Sequence, residues 1–551
     1  MGRKIDAPRQ AHLTTALLGE TCLSTSGSRL VLAILLAAGT LSTTLPSRAE
    51  DWPVYNEGDL HYAIFNADYG DTIRFYANVT LTANLPPVRS GNMTINGQGF
   101  TLSGNNQYRG LFVQQGAINV AIKDLTITNA RAEGGKGGDA RFIVPGNPAR
   151  GGGGGGGAGL GGALFIGKGA NVTVSNVNLQ ANQARGGNGG ALGPLTLSSS
   201  WGSSGGGGGY WPIGADGGDG GASVSGGGGA PDSAGGDGSI TDGSPGGFGG
   251  GGGGSGWCSG SDCPYIPGAG GFGGGSGAGS SGVAEPGGFG GGTGTSNDVS
   301  GGGGGGAGLG GAIFVQEGGS LTLAGTLNIS GNAVAGGDGG RRGGQGNATP
   351  GQGIGSGIFL HGNGSFSVAP GAGQTQTISD IIVDQTGAGG TGTDSGSWSL
   401  VKNGDGATVL TGANAYSGGT IVNAGILQGK TSSLRGNITN NASVIFDQAG
   451  NDGTFAGNMS GSGALFKRGG GVLSLTGTNT YAAGTRVEEG VLQNRFRCQA
   501  RRGRHPSQPG RWWRSECVGD LCQHPPRLAY RRSRHRSRRC RRNPHPEWCS
   551  Q

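Results

Sequence analysis

The stretch LVKNGDGATVLTGANAYSGGTIVNAGILQ, residues 400–428, decides how the rest of the chain folds. It recurs without a gap at residues 465–493 as LFKRGGGVLSLTGTNTYAAGTRVEEGVLQ, with 15 of the 29 positions identical. A segment that is used twice at this level of identity is a structural repeat. Each copy contains short apolar runs separated by Gly and Asn, which is the pattern of strands followed by turns. The repeat therefore predicts stacked β-strands.

The repeated unit resembles the autotransporter-associated β-strand repeat, also called the passenger-associated transport repeat, of bacterial type V secreted proteins. The positions that carry the resemblance in the first copy are Lys402, Gly404, Leu410, Thr411, Gly412, Asn414, Tyr416, Gly419, Thr420, Gly425 and Leu427. The resemblance implies a carried passenger domain with a β-helical fold and an adhesin-like, non-catalytic role.

The same resemblance implies partners and a location. It implies the general secretory translocon and, if a membrane barrel were present, the outer-membrane assembly machinery. It places the product at the cell surface or outer membrane, or in the periplasm or outside the cell if the chain lacks a barrel. The ligand implied is a surface or glycan that the sequence does not name.

Short strands with apolar residues at alternate positions also precede the repeats. Residues 50–133 begin with a helical pattern, LHYAIFNA at residues 60–67, and resemble the start of a pectin-lyase-like β-helix. The predicted fold is all-β, a right-handed parallel β-helix with long Gly-rich loop insertions. Residues 134–390 are predicted to hold rungs interrupted by Gly-rich loops, and residues 391–493 the repeats.

A second, shorter repeat consists of Phe between two apolar residues, as in LFVQQG, LFIGKG, IFVQEG and IFLHGN. Its phenylalanines are predicted to stack inside successive rungs: Phe112, Phe165, Phe314 and Phe359. His361 follows the last copy and, because its counterparts are Gly167 and Gln316, it is predicted to be a solvated turn residue. His61, in the predicted helix, is the other histidine of residues 50–493, so histidine offers little acid–base chemistry.

Glycine accounts for 133 of the 551 residues, with long runs in residues 134–157 and 186–306. These excursions contain few large apolar side chains and are predicted to be flexible loops on one side of the solenoid. A polyproline-II-like glycine bundle is the alternative, and it requires a three-residue period. Aromatic residues of the second excursion are candidate partner contacts, with packing within the excursion as the alternative: Trp201, Tyr210, Trp211, Phe248, Trp257, Tyr265, Phe272 and Phe289.

Residues 1–49 have the pattern of an export signal peptide. Arg29 precedes an apolar run at residues 30–41, which is too short to span a bilayer. Small residues before the body predict cleavage between Ala49 and Glu50, with an uncleaved membrane anchor as the alternative.

The last 58 residues, 494–551, contain sixteen Arg, no Lys and three acidic residues. They are predicted to be a disordered basic tail. Because Gly codons of the form GGC become Arg codons in another frame, the tail is interpreted as an out-of-frame reading of a Gly-rich array that precedes a barrel. A basic tail that binds nucleic acid or a membrane surface is the alternative.

The charge and cysteine content of residues 50–493 limit the kinds of partner expected. Subtracting the leader at +3 and the tail at +13 from the total of +7 leaves −9 for this body, so no nucleic-acid partner is expected. Cys258 and Cys263 are the body's cysteines; they form a possible disulfide, with two free thiols as the alternative.

No catalytic, cofactor-binding or metal site is assigned, and no cofactor is expected. The segment GTDSGSW resembles the surroundings of a chymotrypsin-like nucleophile, but Ser395 has no upstream histidine motif to supply a base. The enzymatic alternative is a β-helical polysaccharide lyase or hydrolase, for which Asp124 and Arg131 are the nearest candidates.

Overall fold

The computed structural model describes residues 49–143, 149–196, 239, 242–256, 265–279, 284–295, 301–341, 348–494 and 521–522. Several predictions fall on other residues: the leader that ends at the predicted cleavage between Ala49 and Glu50, the Cys258–Cys263 disulfide, the aromatic residues Trp201, Tyr210, Trp211 and Trp257, and nearly all of the basic tail at residues 494–551. In the described part, no helix combines the length and the apolar character needed to cross a membrane.

The described chain winds into a parallel β-helix whose turns place strands on three faces. Most strands pair in parallel with strands one turn earlier and one turn later. Face 1 consists of Asp51–Val54, Thr72–Phe75, Thr94–Asn96, Val120–Lys123, the first part of Asn171–Gln180, the first part of Ser320–Ser330, Gly364–Ala369, Trp398–Lys402, Thr420–Val422, Ile438–Asn440 and Met459–Ser460. The predicted all-β fold, a parallel β-helix, is confirmed.

Face 2 consists of Val79–Thr80, Thr101–Ser103, Thr126–Thr128, the second parts of Asn171–Gln180 and Ser320–Ser330, Thr375–Ile378, Ala407–Leu410, Ile426–Gly429, Ser443–Asp447, Ala464–Arg468 and Thr485–Val487. Face 3 consists of Leu111–Val113, Leu164–Ile166, Ile313–Val315, Ile358–Leu360 and Ile382–Asp384. In the last turns of the β-helix, face 3 consists of Gly453–Phe455, Val472–Leu475 and Val491–Asn494. The strand Leu521–Cys522 pairs antiparallel with Val491–Asn494.

The interior of the β-helix, which we call the bore, is filled by Leu, Ile and Val side chains from alternate strand positions. These side chains are almost completely buried. Its first turn is closed by the helix Glu57–Asn66, as the sequence predicts. The Asn56 side chain accepts a hydrogen bond from the Asp59 backbone N–H at 3.1 Å and so caps the helix. Leu60, Ala63 and Ile64 are the helical residues buried against the bore.

The Gly-rich excursions leave the β-helix after face 2 and return before face 3. Their exits form a ladder of Arg131–Glu133, Gln183–Arg185 and Ala333–Ala335. Their returns form a ladder of Gly159–Leu160, Gly308–Leu309 and Gly353–Ile354. A separate small sheet contains Ala140–Ile143, Ala149–Arg150 and Leu192–Thr196. Because exits and returns are stacked, the excursions of successive turns begin and end on one side of the β-helix.

The described parts of these excursions are not loops but an ordered bundle of glycine chains. Successive N–H groups of residues 152–159 donate to three different neighbours in rotation. Carbonyls of residues 249–255 accept from Gly152, Gly155 and Ala158, and carbonyls of residues 301–307 accept from Gly153, Gly156 and Gly159. Carbonyls of residues 135–138 accept from Gly154 and Gly157, and all these N···O distances are 2.8–3.0 Å. A three-residue rotation without internal hydrogen bonds is the geometry of the polyproline II helix.

The flexible-loop prediction is therefore wrong for the described parts of the excursions. It considered only apolar side chains, whereas this bundle buries backbone whose N–H and C=O groups are satisfied by neighbouring chains. Close packing also explains why nearly every position is glycine. A Cβ on Gly155 would lie 1.9 Å from the Gly275 carbonyl oxygen, and one on Gly156 would lie 2.0 Å from that of Gly187.

The four phenylalanines of the short repeat stack as predicted, but outside the bore. Ring centroids are separated by 4.5 Å between Phe112 and Phe165, 5.2 Å between Phe165 and Phe314, and 5.6 Å between Phe314 and Phe359. Their neighbours, such as Leu164 and Ile166, fill the bore. Since successive side chains of a strand point to opposite faces, the phenylalanines point outward from face 3 into a second hydrophobic core beneath the glycine bundle.

Three hairpins with the sequence GGFGGG complete this second core. They span residues 246–251, 270–275 and 287–292, and the glycine after each phenylalanine has a φ of 75–78° that favours glycine in the turn. Their phenylalanines form a second stack, with centroid distances of 5.1 Å for Phe248–Phe272 and 5.5 Å for Phe272–Phe289. These three residues, predicted as candidate partner contacts, are packing residues.

Candidate functional site

Each copy of the 29-residue unit contains one complete turn of the β-helix and the beginning of the next. In the first copy, Leu400 pairs with Thr420 and Ala407 pairs with Ile426. In the second copy, the equivalent residues pair in the same way, Leu465 with Thr485 and Val472 with Val491. The two strands at the start of the unit therefore stack on the two strands at its end.

The lysine shared by the two copies is a buried cation that links successive turns. The Lys402 ammonium donates hydrogen bonds to the carbonyls of Asn403 at 2.8 Å, Gly404 at 2.6 Å and Ala424 at 3.0 Å. Both Lys402 and Lys467 have a relative accessibility of 0%. Burial lowers the pKa of the Lys402 ammonium to about 8, while Asp405 opposes this effect.

The Lys467 ammonium makes the equivalent bonds to Arg468 at 2.8 Å, Gly469 at 2.6 Å and Glu489 at 3.1 Å. Burial lowers the pKa of Lys467 as well, and Glu489 is the largest opposing influence. One acceptor in each copy, Gly404 or Gly469, has a φ of 72–73°, a conformation that favours glycine. This backbone geometry explains why both the lysine and the glycine recur.

Other shared residues also close the turn. The Tyr416 hydroxyl and the Thr420 Oγ1 lie 2.9 Å apart, and the same pair recurs as Tyr481 and Thr485. The Asn414 side chain accepts from the Ile382 N–H at 2.9 Å and donates to the Ser433 carbonyl at 2.9 Å. Polar side chains of the unit thus form hydrogen bonds that hold the β-helix together within and between turns.

Asparagine side chains make a similar ladder earlier in the chain. The Asn182 amide donates to Asn332 Oδ1 at 2.9 Å, and the Asn332 amide donates to Asp380 Oδ2 at 2.7 Å. Asn182 has an accessibility of 0% and Asn332 of 6%. This ladder joins three successive turns where face 2 ends, and the sequence analysis did not identify it.

His361 is not the solvated turn residue that the sequence predicts. Its ring lies 4.2 Å from that of Phe272 and 5.2 Å from that of Phe248, between centroids, so the hairpins cover it. Its Nδ1 accepts a hydrogen bond from the Glu317 backbone N–H at 3.1 Å. Burial lowers the pKa of His361 to about 4; Glu317 opposes this shift and Lys168 adds to it.

The residues considered for catalysis do not converge on one site. Asp124 accepts from the Asn176 side chain at 3.0 Å after a face 1 strand, whereas Arg131 forms an ion pair with Glu133 at 2.7 Å beyond face 2. The Ser395 hydroxyl donates to the Gly392 carbonyl at 2.7 Å. Within the described ranges, no group of three or more His, Cys, Asp or Glu is arranged to hold a metal ion.

Comparison with protein families identifies the unit. The passenger-associated-transport-repeat family matches residues 100–120, 400–428 and 465–493. The first match was not predicted, although Leu102, Gly104, Asn106 and Tyr108 have the same L-x-G-x-N-x-Y spacing as the later copies.

A curated protein gives a second comparison. The Adhesin BmaC autotransporter of Brucella suis biovar 1 (strain 1330) is 32% identical over 145 residues, which cover 22% of this chain and 4% of that protein. The chain thus spans about 4% of the length of this relative. No solved structure matches the chain. The chain therefore carries segments that match the passenger-associated transport repeat, and part of it is similar to an autotransporter adhesin.

Proposed function

We propose that the chain is a non-catalytic passenger that is exported to the bacterial surface and acts there as an adhesin-like structural protein. The observation that carries this proposal is the transport repeat. The buried lysine of the repeat donates three hydrogen bonds to backbone carbonyls. A lysine held in this way links turns of a solenoid and does not face a substrate.

The architecture suits a stiff display element. Backbone ladders on three faces continue through the described turns, and the glycine bundle adds bonds between chain segments that are far apart in sequence, such as Gly155 to Gly252 at 2.8 Å and Gly156 to Gly304 at 2.9 Å. Solenoids of this kind present long surfaces in which each turn contacts only its neighbours. Length and stiffness favour reaching and holding another surface.

The proposal is tested with the full exported chain coupled to beads. We expect the beads to attach to host epithelial cells, and we expect no release of reducing or unsaturated ends from polygalacturonate or other acidic polysaccharides. Beads that carry heat-unfolded protein are the matched control for attachment. Sugar release by the folded chain would favour the polysaccharide lyase or hydrolase, and attachment no greater than that of the control would contradict the adhesive role.

A further inference from the structure

The exposed aromatic side chains of the described residues are concentrated at the N-terminal end of the β-helix. Tyr55, Tyr62, Phe65, Tyr69 and Tyr76 are 59%, 63%, 71%, 60% and 45% exposed. In the rest of the described chain, the large apolar side chains classed as exposed are all isoleucines, and only Ile118, at 51%, is exposed as much as any of these rings: Ile118, Ile266, Ile381, Ile421 and Ile426. We call the five aromatic residues the aromatic cap.

The rings of the aromatic cap are held in defined positions by the first turn. Tyr55 and Tyr76 follow the paired strands Asp51–Val54 and Thr72–Phe75, and their rings stack with centroids 5.2 Å apart and planes inclined by 19°. Tyr62 lies 5.8 Å from the ring of Trp52. The Trp52 indole is fixed by a hydrogen bond to Asp71 Oδ2 at 2.9 Å.

Exposure of the aromatic cap is not a consequence of an unpacked helix. The helix Glu57–Asn66 already buries Leu60, Ala63 and Ile64 against the bore. Tyr62 and Phe65, three residues apart, therefore lie together on the surface that faces away from the bore. Exposed aromatic clusters on a well-packed element are typical of binding surfaces.

Charge indicates what this surface binds. Residues 49–78 contain six acidic residues and one arginine, a net charge of −5: Glu50, Asp51, Glu57, Asp59, Asp68, Asp71 and Arg74. This field disfavours polyanionic glycans and anionic lipid surfaces. The single arginine is paired with Asp51 at 3.1 Å, so it does not offer a free cation to a bound anion.

We propose that the aromatic cap is a binding site for a neutral glycan. The negative face of each aromatic ring attracts the polarised C–H groups of a pyranose ring. The exposed carboxylate of Asp68, next to Tyr69 in sequence, supplies an acceptor for sugar hydroxyls. This inference rests on the proposed adhesive role, for which it names the ligand class and the contact surface.

The test uses the full exported chain and measures its retention on immobilised neutral polymers, namely mannan, galactan and β-glucan, beside heparin and polygalacturonate. Two variants remove the rings in pairs, Tyr55→Ala with Tyr76→Ala and Tyr62→Ala with Phe65→Ala. The matched control is Ile421→Ala with Ile426→Ala, which truncates two exposed apolar side chains elsewhere. Thermal unfolding of each variant confirms that the β-helix is intact.

We expect retention on at least one neutral polymer, weakened about tenfold or more by each double substitution because two exposed aromatic rings are lost, and unchanged in the control. Binding only to the polyanions, no binding to any neutral polymer, or equal binding by all folded variants would overturn the proposal. Cell attachment is measured in parallel. If folded aromatic variants still attach to cells, the adhesive role stands but the aromatic cap is not its contact surface. If the chain binds a glycan through the cap but does not attach to cells, the glycan site stands and the adhesive role is refuted.

Discussion

Lys402 and Lys467 donate to carbonyls at the same three relative positions, although their strands lie on different faces of the β-helix. The strand of Lys402 continues face 1 through its pairing with Gly364–Ala369, and the strand of Lys467 continues face 2 through its pairing with Ser443–Asp447. The second copy is therefore rotated by one face about the helix axis. We call the three hydrogen bonds of each lysine the lysine clamp. The clamp therefore forms within each repeated unit, whichever face the first strand of that unit occupies.

Replacing Lys402 with Met is expected to lower the free energy of unfolding by about 2–4 kcal/mol, because three buried carbonyls lose their donor. Lys168→Met, at an exposed turn residue, is the control and is expected to change stability by less than about 0.5 kcal/mol. The measurement is chemical denaturation of the exported chain. Equal effects of the two substitutions would show that the clamp contributes nothing to stability.

Gly155→Ala is expected to loosen the glycine bundle, because the new Cβ would lie 1.9 Å from the Gly275 carbonyl oxygen. The expected local cost is at least about 2 kcal/mol. Hydrogen exchange of residues 243–256 and 265–279 measures the change. Gly450→Ala is the matched control, since its Cβ would meet nothing within 4 Å. Unchanged protection in Gly155→Ala would mean that the bundle is not close-packed.

Protonation of His361 is expected to destabilise the packing of the hairpins that cover it. Because its pKa is lowered from 6.5 to about 4 in the folded chain, the unfolded chain binds the proton first as pH falls. The stability that His361 contributes is complete above about pH 6.5 and is lost as pH falls to 4, by up to about 3 kcal/mol.

His361→Gln is the comparison for this pH dependence. Gln316 occupies the equivalent turn and accepts from the Lys168 N–H at 3.0 Å, so Gln preserves an acceptor without titrating. The unfolding free energies of the two proteins, measured between pH 4 and 7, are expected to diverge below pH 6.5. Parallel curves would refute the assignment of this loss to His361.

Asn332→Ala is expected to cost about 1–3 kcal/mol, because it removes the middle of the buried ladder, so that the Asn182 backbone N–H loses its acceptor and the Asn182 side-chain amide keeps only the Ile127 carbonyl. Asn328→Ala serves as the control, since Asn328 is only partly buried and its side chain bonds to Ser330 at 3.2 Å. Thermal unfolding compares the two variants. A similar loss for both would place the asparagine ladder outside the stabilising core.

The sequence by itself determined the strands, their stacking in a parallel β-helix and the helix that closes its first turn. Alternating apolar residues and the exact spacing of the repeated unit carry this information locally. The alignment of Phe112, Phe165, Phe314 and Phe359 was predictable for the same reason, because each precedes an equivalent turn.

Tertiary structure decided which way those phenylalanines point and what the glycine excursions become. Neither is a property of one segment: an outward phenylalanine is buried only if the GGFGGG hairpins fold back over face 3, and a glycine helix is stable only if neighbours on every side satisfy its backbone. The same holds for Lys402, whose third acceptor, Ala424, is supplied by the next turn. Local pattern specifies the rungs, and contacts between distant chain segments specify the second core.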